Sequence, residues 1–449
     1  MLKKQGFMKR IYFDYAAGTP IDPKVKTAMA PYFSSKFGNP GSLHSFGQEA
    51  MAAVDLSREK IAKVVGADFR EIIFTGSATE ANNLALRGVV KIFGSPRALA
   101  FRNQNNFSPA EKFSFPSARH SRHTAVDQAG APAGYSSKQI ALNQKFLPLR
   151  IIVSTIEHES ILETAEDLES EGVEVIYLPV DKNGIVDLKK LKESLNERTI
   201  LVSVMCANNE IGVIQPIMEI LKIIRNFRDS NSLFPLFHTD AVQAFQYLDC
   251  NVLKLGVDFM TLSAHKIYGP KGIGALYVRR SLQANFYKLK TIITGGGQEF
   301  GLRSGTENVP AIVGFAKAVE LTDQLRKKES RRIAELSGYF WRELKKIYPK
   351  VELNPNRNLQ TTNYLPNILN ISFPGHSAED LLIKFDMAGI AVSAGSACSV
   401  RSAKTSHVLQ ALGLPIERIK SSIRFSFGKF TTKKEVNESI KRIRRIFIS

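Results

Sequence analysis

Residues 259–274 read Phe-Met-Thr-Leu-Ser-Ala-His-Lys-Ile-Tyr-Gly-Pro-Lys-Gly-Ile-Gly, which places Lys266 between an apolar segment and a glycine-rich turn. Phe259 to Ser263 has the length and apolar character of a buried strand. Ligands of open α/β sheets bind just beyond the ends of such strands. A lysine sheltered there loses its proton more readily and can form an imine. Taken alone, however, Lys266 is weak evidence, because most lysines are solvated surface charges.

Apolar segments of strand length alternate with amphipathic helical segments over most of the chain. The predicted strands lie at 72–75, 151–154, 173–178, 200–205, 236–239 and 259–263, and the predicted helices include 78–90, 161–171 and 216–228. This alternation predicts an α/β layer with a mostly parallel sheet. From residue 309 the pattern changes to a long helix ending near 347, a strand at 368–373, a helix at 378–388 and a charged C-terminal helix. These elements predict a second, smaller α+β domain.

Composition limits the class of protein. The chain has 449 residues, 44% of them hydrophobic and 23% charged, as expected for a folded globular protein of two or three domain-sized units. No apolar run is long enough to span a bilayer. The basic residues 1–10 lead directly into a strand-like segment and lack the features of a secretory signal, so a cytoplasmic location is expected. Translation could begin at Met1 or at Met8.

The three cysteines and the net charge exclude some classes of site. Cys206, Cys250 and Cys398 are widely spaced and odd in number, which argues against a disulfide framework or a zinc site. The formal charge of +19 could attract nucleic acid, acidic proteins or anionic lipid, or could serve only solubility. Because no nucleic-acid-binding motif accompanies the charge, direct binding of nucleic acid is not expected.

Residues 94–150 interrupt the alternation of strands and helices. This segment is rich in Ser, Asn, Gln, Pro and Ala, and holds eight Lys or Arg against two Asp or Glu. We interpret it as an inserted, basic surface loop. It could be a tolerated insertion or a functional one.

Three further segments give Lys266 a chemical context. Asp240 follows a predicted strand, where it could pair with the ring nitrogen of a pyridoxal cofactor or simply cap a helix. Residues 74–80 form a small-residue turn before a helix, which is either a phosphate cradle or an ordinary connection. His158 also follows a predicted strand, and such a histidine is often only a residue at a helix start. Together they favour a pyridoxal-phosphate site.

At this point the chain resembles the cysteine desulfurases of the nitrogen-fixation and iron–sulfur-assembly type, which belong to the class V aminotransferase group of fold type I pyridoxal-phosphate enzymes. The resemblance runs from about Ile11 to the C-terminus, apart from the insertion. It is carried by nine motifs: Asp14-Tyr15-Ala16-Ala17, Phe37-Gly38-Asn39-Pro40, Ala78-Thr79-Glu80, Glu157-His158, Asn208-Asn209-Glu210-Ile211-Gly212, Asp240-Ala241-Val242-Gln243, Ser263-Ala264-His265-Lys266, Arg303-Ser304-Gly305-Thr306-Glu307-Asn308 and Gly395-Ser396-Ala397-Cys398. Gly18 departs from the threonine that is common at its position.

The resemblance implies a role for each matching residue. It implies that Lys266 holds pyridoxal 5′-phosphate as an imine, that His158 stacks on the ring and moves protons, and that Asp240 pairs with the ring nitrogen. The other implied cofactor contacts are Gln243 and Asn209 near the phenolic oxygen, Ala78, Thr79, Ser263 and His265 at the phosphate, and Thr306 reaching the phosphate from the second subunit of a homodimer. The implied contacts to the substrate are Arg424 as a clamp on its carboxylate, with Asn39 and Asn209 assisting. For Arg424 an ordinary surface salt bridge is the alternative, although its apolar flanks favour a sheltered position.

Cys398 selects one reaction among those open to this fold. It lies in the small, polar and basic stretch 392–406, where Arg401 and Lys404 would favour a thiolate. Cys206 and Cys250 lie in apolar contexts and are expected to be structural. The resemblance implies that freed Lys266 takes the Cα proton of L-cysteine and that the Cys398 thiolate then attacks the substrate sulfur. The products would be L-alanine and a persulfide on Cys398. The Arg-x-Gly-His-x-Cys segment of the other group of desulfurases is absent.

The expected organisation follows from the same resemblance. Residues 1–18 should join the small domain, 19–325 should form the large cofactor-binding domain with its inserted loop, and 326–449 should form the small C-terminal domain. The sulfur acceptor could be an iron–sulfur scaffold or a tRNA-thiolating enzyme. The alternatives are another class V activity, such as an aminotransferase or a selenocysteine lyase, and a non-enzymatic protein that kept the fold.

Overall fold

The computed structural model describes residues 9–94, 148–228, 233–283, 288–357, 359, 363–395 and 405–448. Most of the predicted insertion and Cys398 itself lie outside these residues. The strands are β1 Ile11–Tyr12, β2 Ile72–Thr75, β3 Arg150–Ser154, β4 Glu174–Leu178, β5 Thr199–Ser203, β6 Leu236–Asp240, β7 Phe259–Ser263, β8 Gly274–Val278, β9 Glu352–Leu353, β10 Ile368–Ser372, β11 Ile390–Ala391 and β12 Ser422–Ser426. The helices are α1 Pro23–Met29, α2 Ser45–Val65, α3 Ala78–Phe93, α4 Glu159–Ser170, α5 Leu188–Ser194, α6 Ile217–Phe227, α7 Val252–Leu255, α8 Val309–Ile347, α9 Ala378–Met387, α10 His407–Ala411, α11 Ile416–Lys420 and α12 Lys433–Ile448.

A seven-stranded sheet forms the centre of the molecule, in the order β2-β8-β7-β6-β5-β3-β4. Strands β4, β3, β5, β6 and β7 run parallel, and β8 is antiparallel to both β7 and β2. This mixed sheet confirms the α/β fold expected from the alternating pattern. The strand β8 was not predicted, because its first residue, Gly274, belongs to the glycine-rich stretch that was interpreted as a turn.

Both faces of the sheet are covered, as its apolar strands require. Alternate strand residues face opposite sides, so Phe74 lies in one apolar cluster and Ile73 in the other. Helices α3 and α4 supply Leu84 and Ile161 on the side of Ile73. Helices α2, α6 and α8 cover the other side. The polar side chains at the ends of the strands are thereby held by a packed three-layer core.

The N-terminal segment connects the C-terminal part of the chain to the large sheet. Ile11 in β1 pairs in parallel with Ile390 in β11, and Asp14 forms a bridge with Ser426 at the end of β12. The segment then reaches the end of β7, where the Thr19 N–H donates to the His265 carbonyl over 3.0 Å. Strands β12, β10 and β9 form a separate antiparallel sheet. Residues 14–19 therefore pass between the two sheets, beside Lys266.

Candidate active site

Lys266 ends a single helical turn, Ala264–Lys266, that directly follows β7. Its half-buried side chain points toward the N-terminal segment. The Nζ atom donates to the backbone carbonyl of Ala16 over 2.6 Å and to that of Ala17 over 2.9 Å. Lys266 therefore lies where the sequence predicted, at the end of a buried strand, with its amine held by neutral acceptors.

Asp240 is the last residue of β6 and is buried. One carboxylate oxygen, Oδ1, accepts from the Val242 N–H over 2.9 Å. The other, Oδ2, accepts from Asn82 Nδ2 on α3, also over 2.9 Å. The carboxylate is thus fixed by both the backbone and a side chain, and Asn82 is a partner that the sequence analysis did not identify.

His158 caps α4, since its Nδ1 accepts from the Ser160 N–H over 3.0 Å. Burial lowers the pKa of His158; the charge of Lys266 acts in the same direction, and the nearby Asp240 carboxylate opposes both. The lowered pKa favours the neutral form of the imidazole. His158 therefore lies close enough to Asp240 and Lys266 for both charges to act on its pKa, although the three residues come from distant segments of the chain.

The turn between β2 and α3 has the features of an anion cradle. Ser77 caps the helix by accepting from the Glu80 N–H over 3.1 Å, and the first-turn N–H groups of Ala78 and Thr79 lie at its positive end. Strand β8 passes very close to this turn. A side-chain carbon at Gly274 would lie 2.7 Å from the carbonyl carbon of Ser77 and 2.8 Å from the Ala78 nitrogen. Only glycine allows this approach.

Ser263 and His265 lie at the end of β7, one on each side of Ala264. The Ser263 hydroxyl lies 2.8 Å from His265 Nδ1. Burial lowers the pKa of His265 to about 4, and the charges of Lys266 and Lys271 act in the same direction. A neutral histidine and a hydroxyl can bind a phosphate through hydrogen bonds without adding charge.

Arg424 lies on β12 and is only 1% exposed, which is the sheltered position expected from its apolar flanks. Its Nη2 pairs with Asp14 Oδ1 over 2.9 Å, and its Nη1 donates to the Asn209 backbone carbonyl over 2.9 Å. Its Nε is buried and has no hydrogen-bond partner among the described residues. A buried guanidinium with a spare donor is suited to binding a carboxylate.

The remaining predicted residues lie around this cluster or on the surface. Gln243 is close to Lys266, because its Nε2 donates to the same Ala16 carbonyl, over 2.9 Å. Asn39 and Thr306 are exposed. The Asn39 side chain accepts from the Gly41 N–H, and within the described part of the chain neither Asn39 nor Thr306 is hydrogen-bonded to the cluster. The structure of the single chain therefore gathers most of the predicted residues but leaves these two outside.

Cys398 lies outside the described residues, but the chain before it runs beside Arg424. The backbone N–H of Arg424 donates to the Ser393 carbonyl over 2.6 Å, and the Ser393 N–H donates back over 3.2 Å. Cys206 and Cys250 are buried, as expected for structural cysteines. Ser393, five residues before Cys398, is therefore paired with the strand that carries Arg424.

Sequence reasoning missed another buried acid at this site, Glu157. Burial raises the pKa of Glu157 to about 8. Its Oε1 accepts from Ser154 Oγ and from the Met205 N–H, each over 2.7 Å. Its position next to His158 was the available signal, but a single carboxylate in a sequence gives no indication of its burial.

Comparison with known proteins identifies the family. The family model for aminotransferase class-V matches residues 11–100 and 142–438, on both sides of the basic segment. A curated relative from Dictyoglomus turgidum, named cysteine desulfurase IscS, is 42% identical over 440 residues, which cover 98% of this chain and 95% of the relative.

Two solved structures extend the likeness to the fold. A NifS-like protein is 33% identical with a TM-score of 0.78, covering 97% of this chain and 99% of its own. A structure titled SspA in complex with cysteine is 32% identical with a TM-score of 0.69, covering 94% and 99%. No helix within the described residues is long and apolar enough to cross a membrane. These names favour the desulfurase over the other class V activities considered above. The chain belongs to the class V aminotransferase family, and within that family to the cysteine desulfurases.

Proposed function

We propose that this protein is a pyridoxal-phosphate-dependent cysteine desulfurase, which converts L-cysteine to L-alanine and leaves the removed sulfur on Cys398. The observation that carries the proposal is the proximity of Lys266, His158 and Asp240 at one edge of the sheet, in a chain of this family. A lysine amine and a fixed carboxylate suit the imine and the ring nitrogen of this cofactor, and His158 is the group that the family resemblance places against the ring.

The described residues fit pyridoxal phosphate. Asp240 is a buried carboxylate that suits the ring nitrogen, and the start of α3 offers N–H groups to the phosphate. Lys266 would hold the cofactor, with Ser263 and His265 adding contacts to the phosphate and Gln243 and Asn209 lying toward the phenolic oxygen. When bound, pyridoxal phosphate supplies an electron sink for the negative charge that forms on the substrate Cα.

Lys266 and His158 are proposed to move the protons. The Lys266 Nζ would take the Cα proton of the substrate. Burial lowers the pKa of His158 and so favours the neutral ring, which would stack on the cofactor and carry a positive charge only while it holds a transferred proton. His158 is held by Ser160, and the Ala16 carbonyl lies within hydrogen-bonding distance of the Lys266 amine that would take the proton.

Arg424 is proposed to bind the carboxylate of cysteine. Its charge is already matched by Asp14, so the substrate carboxylate would approach through the remaining donors, including Nε. Asn209 contacts Arg424 through its backbone carbonyl, which leaves the Asn209 side chain available to the substrate. Asn39 is proposed to assist only when the assembly brings it to the site, because it is exposed in the single chain.

The sulfur transfer itself requires no further reactant. The Cys398 thiolate forms an S–S bond with the substrate sulfur while the Cβ–S bond of cysteine breaks. The electron pair of the broken bond stays with the carbon fragment, which gains a proton equivalent to the one lost by the Cys398 thiol and leaves as alanine. One cysteine and one enzyme thiol thus give one alanine and one persulfide, without a net oxidant or reductant.

The assembly is proposed to be a homodimer in which Thr306 completes the phosphate site of the partner subunit. Thr306 is exposed in the single chain. Large apolar side chains are also exposed beside Asn39, where Phe37 is 69%, Leu43 92% and Phe46 50% accessible. Homodimer interfaces bury surfaces of this kind. Light scattering should give twice the mass of the chain, and a monomer that is fully active would contradict this part of the proposal.

We further propose that the sulfur passes from Cys398 to an iron–sulfur scaffold or a tRNA-thiolating enzyme. The cytoplasmic location expected from the sequence stays a prediction. The division of the chain into domains at 1–18, 19–325 and 326–449 also stays a prediction. The last of these boundaries falls inside the continuous helix α8.

Product analysis tests the proposed activity. The purified, pyridoxal-phosphate-loaded protein should be yellow and, with L-cysteine and a thiol reductant, should release alanine and sulfide in equal amounts. Pyruvate formed from L-alanine and a keto-acid acceptor would point instead to transamination. Turnover of selenocysteine with none of cysteine would indicate a selenocysteine lyase. Either result would contradict the proposal.

A further inference from the structure

Asn82 on α3 connects two of the proposed site residues. Its side chain is fully buried and lies one helical turn beyond Ala78. Its Nδ2 donates to Asp240 Oδ2 over 2.9 Å and to Ser160 Oγ over 2.8 Å. An amide nitrogen carries two hydrogens, so these two contacts use both of them.

Ser160 continues the connection to His158. The Ser160 Oγ lies 2.9 Å from His158 Nδ1, and the Ser160 backbone N–H donates to the same nitrogen over 3.0 Å. Because the Ser160 N–H makes His158 Nδ1 an acceptor, the contact between Ser160 Oγ and Nδ1 is a hydrogen bond that the hydroxyl donates. Two donors therefore meet at Nδ1, and the ring proton of the neutral histidine lies on Nε2.

The amide of Asn82 has one orientation that fits these contacts. Turning it over would place its oxygen against the Asp240 carboxylate, where neither group could donate. In the orientation observed, Asn82 Oδ1 is buried and has no hydrogen-bond partner within the ranges that the structure describes. A buried carbonyl oxygen without a partner is unfavourable, so the two donated hydrogen bonds must outweigh that cost.

We propose that Asn82 is a positioning residue that holds the Asp240 carboxylate and the His158 imidazole in one fixed arrangement, acting on the histidine through Ser160. The inference rests on the proposed roles of Asp240 and His158 at the cofactor ring. Asn82 connects α3, β6 and the start of α4, and its hydrogen bond to Asp240 joins residues 158 positions apart in the sequence. One buried amide thereby aligns the group beneath the ring nitrogen with the group proposed to stack on the ring.

The protonation of His158 depends on this arrangement and on its charged neighbours. Its charged neighbours are Asp240, Lys266 and Glu159, and the rings of His407 and His265 also lie near it. Burial is the largest cause of the lowered pKa of His158. A donor to Nδ1 also favours the neutral ring, so loss of the Ser160 hydroxyl should move the pKa of His158 upward.

Three variants of the holoenzyme test the role: Asn82→Leu, Ser160→Ala and the control Asn83→Leu. Asn83 is the next residue on the same helix, and its Nδ2 donates to the Thr79 carbonyl, outside the network. Asn82→Leu should weaken binding of pyridoxal phosphate about tenfold, as for loss of one hydrogen bond to a charged group, and should move the pH midpoint of the visible absorption band. Ser160→Ala should bind pyridoxal phosphate within about twofold of the wild-type affinity, because Asn82 still holds Asp240. It should move the acid limb of the pH profile of kcat to higher pH. Asn83→Leu should match the wild type in all three measurements.

The outcomes separate this inference from the proposed function. If Asn82→Leu binds the cofactor with wild-type affinity and an unchanged absorption midpoint, the inference is wrong, even when the same preparation forms alanine. If the wild-type protein binds no pyridoxal phosphate, the proposed function is wrong. If Asn82→Leu does not fold, the test rests on Ser160→Ala. An acid limb of its kcat against pH that coincides with the wild type overturns the inference, and a limb shifted to higher pH supports it.

Discussion

Replacement of Arg424 by methionine should separate the binding of substrate from the stability of the fold. Arg424 is 1% exposed and its partner Asp14 is 17% exposed at the side chain, with 2.9 Å between Nη2 and Oδ1. Arg424→Met leaves the Asp14 carboxylate largely buried without its partner. Breaking a buried pair typically costs about 3–5 kcal/mol, and the partial exposure of Asp14 places this case near the lower end.

The effect of Arg424→Met on catalysis has a different origin. Loss of the hydrogen bonds from a guanidinium to the substrate carboxylate should cost about 1.5–3 kcal/mol, which lowers kcat/KM for L-cysteine by about 10- to 150-fold. Most of this loss should be in KM, because the carboxylate takes no part in the chemical step.

The double variant Asp14→Asn/Arg424→Met is the matched control. It removes the unpaired carboxylate, so most of the stability should return in urea unfolding while KM stays high. Asp14→Asn alone should keep a KM close to that of the wild type, since the guanidinium remains. A KM for Arg424→Met within twofold of the wild type would refute the proposed clamp, and so would recovery of KM in the double variant.

Three further changes test other parts of the site. Lys266→Ala should abolish the visible absorption band of bound pyridoxal phosphate and the release of sulfide while leaving thermal unfolding cooperative; a yellow, active variant would contradict the role of Lys266. Gly274→Ala should destabilise the fold by about 1–3 kcal/mol and weaken cofactor binding, because the added carbon meets backbone atoms of Ser77 and Ala78. Its control is Gly338→Ala inside α8, which should raise the free energy of unfolding in urea by about 0.5–1 kcal/mol. Burial raises the pKa of Glu157 from 4.5 to about 8, so the folded chain keeps a proton that the unfolded chain releases, and the free energy of unfolding should fall by about 1.4 kcal/mol for each pH unit between about 5 and 8. Glu157→Gln should remove that decline, and parallel pH profiles for variant and wild type would show that Glu157 is not the cause.

Local patterns were sufficient to predict the main elements of the fold. The strand Phe259–Ser263 and the helix Val309–Ile347 were predicted with the bounds that the structure has, because continuous apolar runs and helical periodicity are properties of neighbouring residues. The antiparallel strand Gly274–Val278 was missed, since its first glycine continues a turn-like segment. That glycine is required by contact with a different element, the start of α3, which a local pattern does not contain.

The candidate site shows the same limit. The positions of Lys266, His158 and Asp240 could be predicted because each follows a strand, and parallel strands bring their ends to one edge of the sheet. Their partners could not, because the contacts join distant parts of the chain. Asp14 and Arg424 are 410 residues apart. Asn82 had one local signal, since it lies four residues after Ala78 and hence on the same face of α3.

The transfer of sulfur to Cys398 is tested most directly by mass spectrometry of the protein after one turnover. The pyridoxal-phosphate-loaded wild type, mixed with L-cysteine in the absence of reductant, should gain one sulfur atom on the peptide that contains Cys398 and release one alanine per chain. Cys398→Ser should bind the cofactor as well as the wild type does, but should gain no sulfur and release no sulfide when reductant is added. Full release of alanine and sulfide by Cys398→Ser would contradict the account.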